Sequence, residues 1–214
     1  MKTIAVANQK GGIGKTTVAR HLMFYAMDRG LRVLGVDMDI QGNFTTSFQN
    51  IRESNGLALP SSYLSASGLF EAGNTDKPII CGAGLSLVPA NPEILITERA
   101  DLETVIRAGQ AKFAELADDY DVCVIDTGPS VSNLLIVALS VADFAVSPCK
   151  PDRDAIAGLV AFFSNVNRVK AEGNLNPNLA PLGVLPNQVN QKRAYHRDVL
   201  ETMKGAWGDG VLPV

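Results

Sequence analysis

The chain has 214 residues, 46% of them hydrophobic and 19% charged, and its formal net charge is −3. That length suits one domain with a sizeable core, and the composition excludes an intrinsically disordered chain. A slightly acidic chain is not a nucleic-acid binder by bulk charge, so any basic surface must be local.

In chain order, Thr3–Ala7 reads as a buried strand, too short before polar Asn8-Gln9-Lys10 to be the apolar core of a signal peptide. Thr16–Arg29 reads as a helix with Val18, Leu22, Tyr25 and Ala26 at helical spacing and Gly30 as its stop. Arg32–Val36 is a second strand and Leu85–Pro89 another. Between them, 49–84 is rich in Ser, Gly and Asn, with weak periodicity, and reads as an irregular insertion with short helices. Asp101–Leu116 is an amphipathic helix, Asp121–Asp126 a strand, Asn133–Ser140 a short helix and Phe144–Pro148 a strand. Ala155–Ala171 is helical with Gly173 beyond it, Pro181–Asn187 is a strand, and Tyr195–Lys204 closes the pattern as a helix. Continuous apolar strands alternating with helices imply βαβ units: an α/β fold with a mainly parallel twisted sheet and helices on both faces. Ligand-binding residues then belong just after the strands. No stretch approaches 18 uninterrupted apolar residues, so no membrane-spanning helix is expected.

Lys10-Gly11-Gly12-Ile13-Gly14-Lys15-Thr16-Thr17 follows a strand and opens a helix, the setting a phosphate loop requires. Glycines let backbone N–H groups converge on phosphate oxygens, and the helix N-terminus adds its partial positive charge. Lys15 is placed for the β- and γ-phosphates, the Thr16 hydroxyl for Mg²⁺, and Thr17 for the α-phosphate side. The strict G-x-x-x-x-G-K-[ST] pattern fails because Gln9 stands where its first glycine belongs. What replaces it is a deviant form with an extra lysine, Lys10. Two acidic motifs accompany the loop. Asp37 and Asp39 lie one residue apart at the end of the second strand, where they can serve one metal or orient one water. Asp126 ends the strand Val122–Ile125 in the Walker B manner, a carboxylate for Mg²⁺.

These three motifs resemble the ParA/MinD group of P-loop ATPases. Asn8-Gln9-Lys10-Gly11-Gly12 and Asp37-x-Asp39-x-Gln41-Gly42-Asn43 resemble its ParA/Soj branch, and the resemblance covers most of the chain. It implies one ATPase domain over 1–214, with ATP and Mg²⁺ as cofactors and slow, partner-stimulated hydrolysis of ATP to ADP and phosphate. Lys10 would reach into the partner subunit's nucleotide, so that ATP binding makes a sandwich homodimer. Asp39 matches the residue that positions or activates the attacking water, Asp37 the neighbouring carboxylate of the magnesium shell, Asp126 the Walker B aspartate, and Asn187 the asparagine that recognises adenine. Three departures stand out. The proline usual between Asp39 and Gln41-Gly42 is missing, Gly128-Pro129 replaces Pro-Pro, and longer relatives continue beyond Val211–Val214 with another strand and helix.

The resemblance also implies non-specific DNA binding by the ATP form and a ParB-like or other adaptor that stimulates hydrolysis. The cargo would be a plasmid, a chromosome or a large protein assembly, and the location cytoplasmic and nucleoid-associated. The most basic stretch fits the DNA expectation: Lys192, Arg193, Arg197 and Lys204 against Asp198 and Glu201, with Arg168 and Lys170 ending the preceding helix. A MinD-like membrane switch needs a basic amphipathic C-terminal helix, which the glycine-rich stretch Gly205–Val214, without Lys or Arg, is not expected to form; no membrane partner is expected. Metabolic P-loop enzymes such as dethiobiotin-synthetase-like ligases or nitrogenase-reductase-like proteins are the second rival. The spacing of Cys81, Cys123 and Cys149 supplies no cluster set, and the three read as reduced core thiols. A scaffold without turnover is disfavoured by intact Lys10, Lys15 and Asp39. His21 and His196 are expected to be non-catalytic.

Overall fold

Apolar runs too short for a helix pair side by side and bury both faces, and the longer amphipathic segments cover them. A computed structural model describes residues 1–130, 132–171 and 175–213, so Gly173 lies outside the described residues. The strands are β1 (Lys2–Val6), β2 (Val33–Met38), β3 (Ile79–Gly82), β4 (Leu85–Val88), β5 (Val122–Thr127), β6 (Phe144–Cys149) and β7 (Ala180–Pro186). The helices are α1 (Lys15–Met27), α2 (Asn43–Ser54), α3 (Leu102–Leu116), α4 (Asn133–Val141), α5 (Ala155–Ala171) and α6 (Ala194–Trp207). Short 3₁₀ segments lie at Ser67–Phe70, Pro92–Arg99 and Gly208–Gly210.

The seven strands form one sheet in the order β3-β4-β2-β5-β1-β6-β7, with every pairing parallel except the β3–β4 edge. Side-chain alternation divides β5 between two layers. Cys123 and Ile125 pack with Leu34, Val36 and the helices α3 and α4, whereas Val124 packs with Met23 of α1 and Phe44 and Phe48 of α2. A further layer joins Leu159 of α5 to Met203 of α6 over Val184 of β7. All three cysteines are buried and unpaired, as expected of core thiols.

Three stretches differ from the expectation. The region 49–84 is not irregular at its ends. Its first residues continue α2, which is preceded by Gly42 in the left-handed region (φ 64). Its last form β3, whose Ile79 is buried and Ile80 exposed. The α2 sequence Asn-Phe-Thr-Thr-Ser-Phe-Gln-Asn is poor in strong helix formers. What holds it is Phe44 and Phe48, both fully buried and in edge-on contact at 4.8 Å. The strand β2 runs two residues past Val36, so Asp37 and Met38 are part of the sheet. The helix α6 runs on through Gly205 to Trp207, because the indole stacks on Phe163 of α5 at 5.8 Å.

The register places the site. Asp126 of β5 lies beside Val6 of β1 on one side and Asp37 of β2 on the other. The loop after β1 and both acidic motifs are therefore neighbours at the carboxyl edge of the sheet, where parallel topology collects them.

Candidate nucleotide site

The loop after β1 is held from outside, so that its inner face stays open. The Asn187 side-chain amide donates to the carbonyl of Ile13 at 2.8 Å, and the Gln188 amide to that of Gly12 at 3.0 Å. Asn8, 4% exposed, donates to the Ser147 hydroxyl and the Pro148 carbonyl and accepts from the Lys10 N–H. With carbonyls turned to these amides, the loop can offer N–H groups to an anion. Gly14 sits at φ 92, and a Cβ there would lie 2.3 Å from the Asn187 amide nitrogen, so only glycine lets strand end and loop meet. The helix α1 starts at Lys15 with no side-chain cap and no acidic residue in its first turn. Its leading N–H groups therefore remain for a ligand.

Lys15 is 7% exposed and donates to the Lys10 carbonyl at 3.0 Å. Burial pulls its pKa down, against the charges of Asp126 and Asp39. Lys10 turns the other way, to Asp152 at 2.6 Å and Asp154 at 3.5 Å in the segment between β6 and α5. The hydrogen bond to Asp152 raises the Lys10 pKa most.

The three aspartates have different environments. Asp37 is fully buried and its oxygens are engaged, one by the Asp39 N–H, the other by the N–H and hydroxyl of Thr45. Burial pushes its carboxyl up to about 6 against those three donors. Its place is that of an anchor for the Asp39 turn and the start of α2. Three donors leave it about one further acceptor position for a magnesium shell. Asp39 is 9% exposed; one oxygen accepts from Gln41 N–H, and a Cβ on Gly128 would come within 3.5 Å of that oxygen. Gly128 thus lies against Asp39 with room for a Cβ at ordinary contact distance. Asp126 is 1% exposed, and neither carboxylate oxygen has a hydrogen-bond partner among the described residues. Burial pushes it up to about 7; Thr16 lowers it, yet no donor there meets hydrogen-bond geometry.

An orphaned buried carboxylate costs several kcal/mol if ionised and calls for a cation. Asp126 with the Thr16 hydroxyl therefore fits Mg²⁺, whose remaining ligands come from phosphate and water. No group of three or more His, Cys, Asp or Glu side chains could hold a metal among the described residues.

Gly11, Gly12, Gly14, Lys15, Thr16, Thr17, Asp39 and Gln41 line a cleft of about 600 Å³, with Pro129 and Gln188 at its rim. Beside it an apolar cleft of about 510 Å³ lies between α1 and the end of β7, walled by Val18, Leu22, Tyr25 and Leu185. Thr17 borders both clefts. Thr45, Gln188, Asp152 and Asp154 were not singled out in the sequence, and Asn8 entered there only as the first residue of the Asn8–Gly12 motif. Gln188 had one signal, its position directly after Asn187; the others act through contacts between distant segments. His21 bonds the Thr17 carbonyl and buried His196 accepts from Asn190 N–H, both structural contacts.

The six basic residues are not brought to one place. Lys192, Arg193, Arg197 and Lys204 are exposed on and just before α6, which begins after the carboxyl end of β7. Arg168 and Lys170 close α5, which runs from the carboxyl end of β6 back to the amino edge where β7 starts. A helix of 17 residues spans about 25 Å, so Arg168 and Lys170 lie away from Lys192 and Arg193, and α6 likewise carries Lys204, in its last turn, away from its own start. The basic residues are thus spread along two helices.

A family of proteins described as AAA domain matches residues 1–180. The chain is 34% identical over 220 residues to Protein IncC of Escherichia coli, covering 100% of this chain and 57% of that protein. It is 31% identical over 215 residues to the chromosome-partitioning ATPase Soj of Thermus thermophilus, covering 99% of this chain and 79% of that one. Among solved structures, cobyrinic acid a,c-diamide synthase from Mycobacterium smegmatis with bound ADP and magnesium aligns with a TM-score of 0.82 at 29% identity, over 100% of this chain and 84% of the other. The chain thus spans little more than half the length of IncC.

Proposed function

The chain belongs to the ParA/Soj group of P-loop ATPases within the AAA domain family, and from that premise we propose that it is an ATP-driven dimerising switch. In this reading its ATP form binds DNA without sequence preference and positions a cargo. The observation that carries the reading is Asp126, a buried carboxylate without a partner, beside an uncapped helix N-terminus and a buried lysine. That combination suits a magnesium-bound polyphosphate and little else.

The residues divide the work as follows. Loop N–H groups from Gly11 to Thr17 hold the phosphates, and Lys15 exchanges the Lys10 carbonyl for phosphate oxygens. Thr16 and Asp126 hold Mg²⁺, which neutralises charge on the β- and γ-phosphates when bound. Asp39, carried at the end of a buried strand, orients the attacking water. Lys10 completes the partner's site rather than its own. An adenine fits the apolar cleft beside Thr17, where the Asn187 oxygen is the group suited to accept from the exocyclic amine. The adaptor that stimulates hydrolysis is a protein, and the DNA contacts fall on Lys192, Arg193 and Arg197 near the site.

The likeness to cobyrinic acid a,c-diamide synthase supports a second reading, a metabolic ligase on the same nucleotide site. Purified protein separates the two. The switch hydrolyses ATP slowly without a small-molecule acceptor, forms a dimer on sizing chromatography with ATP and not with ADP, and turns over faster with DNA and adaptor. A monomer in all nucleotide states would sink the switch.

A further inference from the structure

We propose that Asp152, backed by Asp154, is a positioning residue that holds Lys10 within its own subunit and sets how readily two ATP-loaded copies pair. The inference rests on the reading above, in which Lys10 serves the partner's nucleotide.

Both ends of the contact are aimed. On the lysine side, Asn8 accepts the Lys10 N–H while its own amide is fixed to Ser147 and Pro148 of β6. Gly158 brings α5 so close to Asn8 that a Cβ would come within 3.2 Å of its side-chain oxygen. On the acid side, the Asp152 N–H donates to the Lys150 carbonyl at 2.8 Å, and the Asp152 carboxylate accepts from the Asp154 N–H at 3.2 Å. The same Asp152 oxygen accepts from Lys10 at 2.6 Å, with Asp154 a second acceptor at 3.5 Å. Two rigid segments thus present charge to each other across the mouth of the loop.

Lys10 is also tied to Lys15, which donates to its carbonyl. One residue therefore links the lysine of its own phosphate site to the acids of the β6–α5 segment. A triphosphate that draws Lys15 inward removes that tie from the Lys10 backbone. The ammonium of Lys10 must still leave Asp152 before it can reach a second copy. Until it does, each subunit withholds a cation from the partner's γ-phosphate. Once Lys10 has left, the uncovered carboxylates repel that phosphate. Removing the Asp152 charge acts in one direction on both counts, toward the dimer.

The pair is only about 29% and 28% exposed at its two side chains, intermediate between surface and core. Opening an exposed ion pair shifts an equilibrium by up to about fivefold, and a dimer opens two. Sedimentation velocity with a non-hydrolysable ATP analogue and Mg²⁺ tests the idea on the unaltered chain, Asp152→Asn and Asp152→Glu. Asp152→Asn is expected to tighten the dimer by about three- to twentyfold, with affinity of the dilute monomer for ADP unchanged. Asp152→Glu, which keeps the charge, is expected to restore the parent's value. A dimer no tighter, or weaker, in Asp152→Asn while the parent dimerises overturns the latch alone. A parent that stays monomeric at every concentration overturns the trans role of Lys10 and the latch with it.

Discussion

At the carboxyl edge of the sheet, loops after β1, β2 and β5 meet the end of β7 around one cleft, while the cationic side chains of α5 and α6 scatter toward both edges. Each region begins as a local stretch of suggestive residues. The difference lies in what the topology does to them. A parallel sheet sends every strand's exit to one side, so motifs that follow strands converge without further instruction. Charges on a helix surface answer to no such rule, because solvent accepts them wherever the helix ends. Proximity in sequence is therefore a good guide at strand exits and a poor one on outer helices.

The largest effect expected is at the converging region. Lys15→Ala should weaken ATP binding by at least about 100-fold, because a charge-assisted contact in a buried site has no substitute there. Titration calorimetry with unchanged affinity would break the assignment of the cleft. Asp39→Ala comes next: ATP affinity should stay within about threefold, turnover should fall to background, and an ATP-bound dimer should accumulate on sizing chromatography. The dispersed region should respond more weakly. Reversing Lys192 and Arg193 to Glu should cut affinity for random-sequence duplex DNA by about tenfold at low salt, and wild-type binding should fall steeply as salt rises. Reversing Arg168 and Lys170 should do less, since they sit at the far edge; equal losses would show that the two groups act as one surface after all.

The smallest effect is on stability against pH. Asp37 and Asp126 have folded pKa values raised from the usual 3.8 to about 6 and about 7. The folded chain thus holds protons there that the unfolded chain has already released, and stability from this source is lost as pH rises through those values. Without metal or nucleotide, the melting temperature should fall between about pH 4 and pH 7. Asp126→Asn should remove the upper part of that fall, and a Mg²⁺–ATP stabilisation should grow as Asp126 deprotonates. A melting temperature flat across that range would place Asp126 in a more solvated setting.

Much of this was readable in advance because it is periodic or punctuated. Val122 to Asp126 could only be a buried strand ending in an acid, and Gly-Gly-x-Gly-Lys-Thr-Thr could only open a helix. The helix α2 was not readable, since Phe44 and Phe48 justify it only when β2 and α1 lie against them. The roles of the two neighbouring aspartates could not be told apart either. Asp37 and Asp39 look alike as letters, but Thr45 from the next helix turns one into an anchor.

The sequence by itself determined the fold class, the strand-exit motifs and the deviant character of the loop with its extra lysine, because local sterics and period decide these. Only the tertiary structure decided which carboxylate is left without a partner, where Lys10 points and how far apart the basic residues lie. Those depend on which strand exits and helix ends are neighbours, and on the water that burial removes from Asp126 and Lys15.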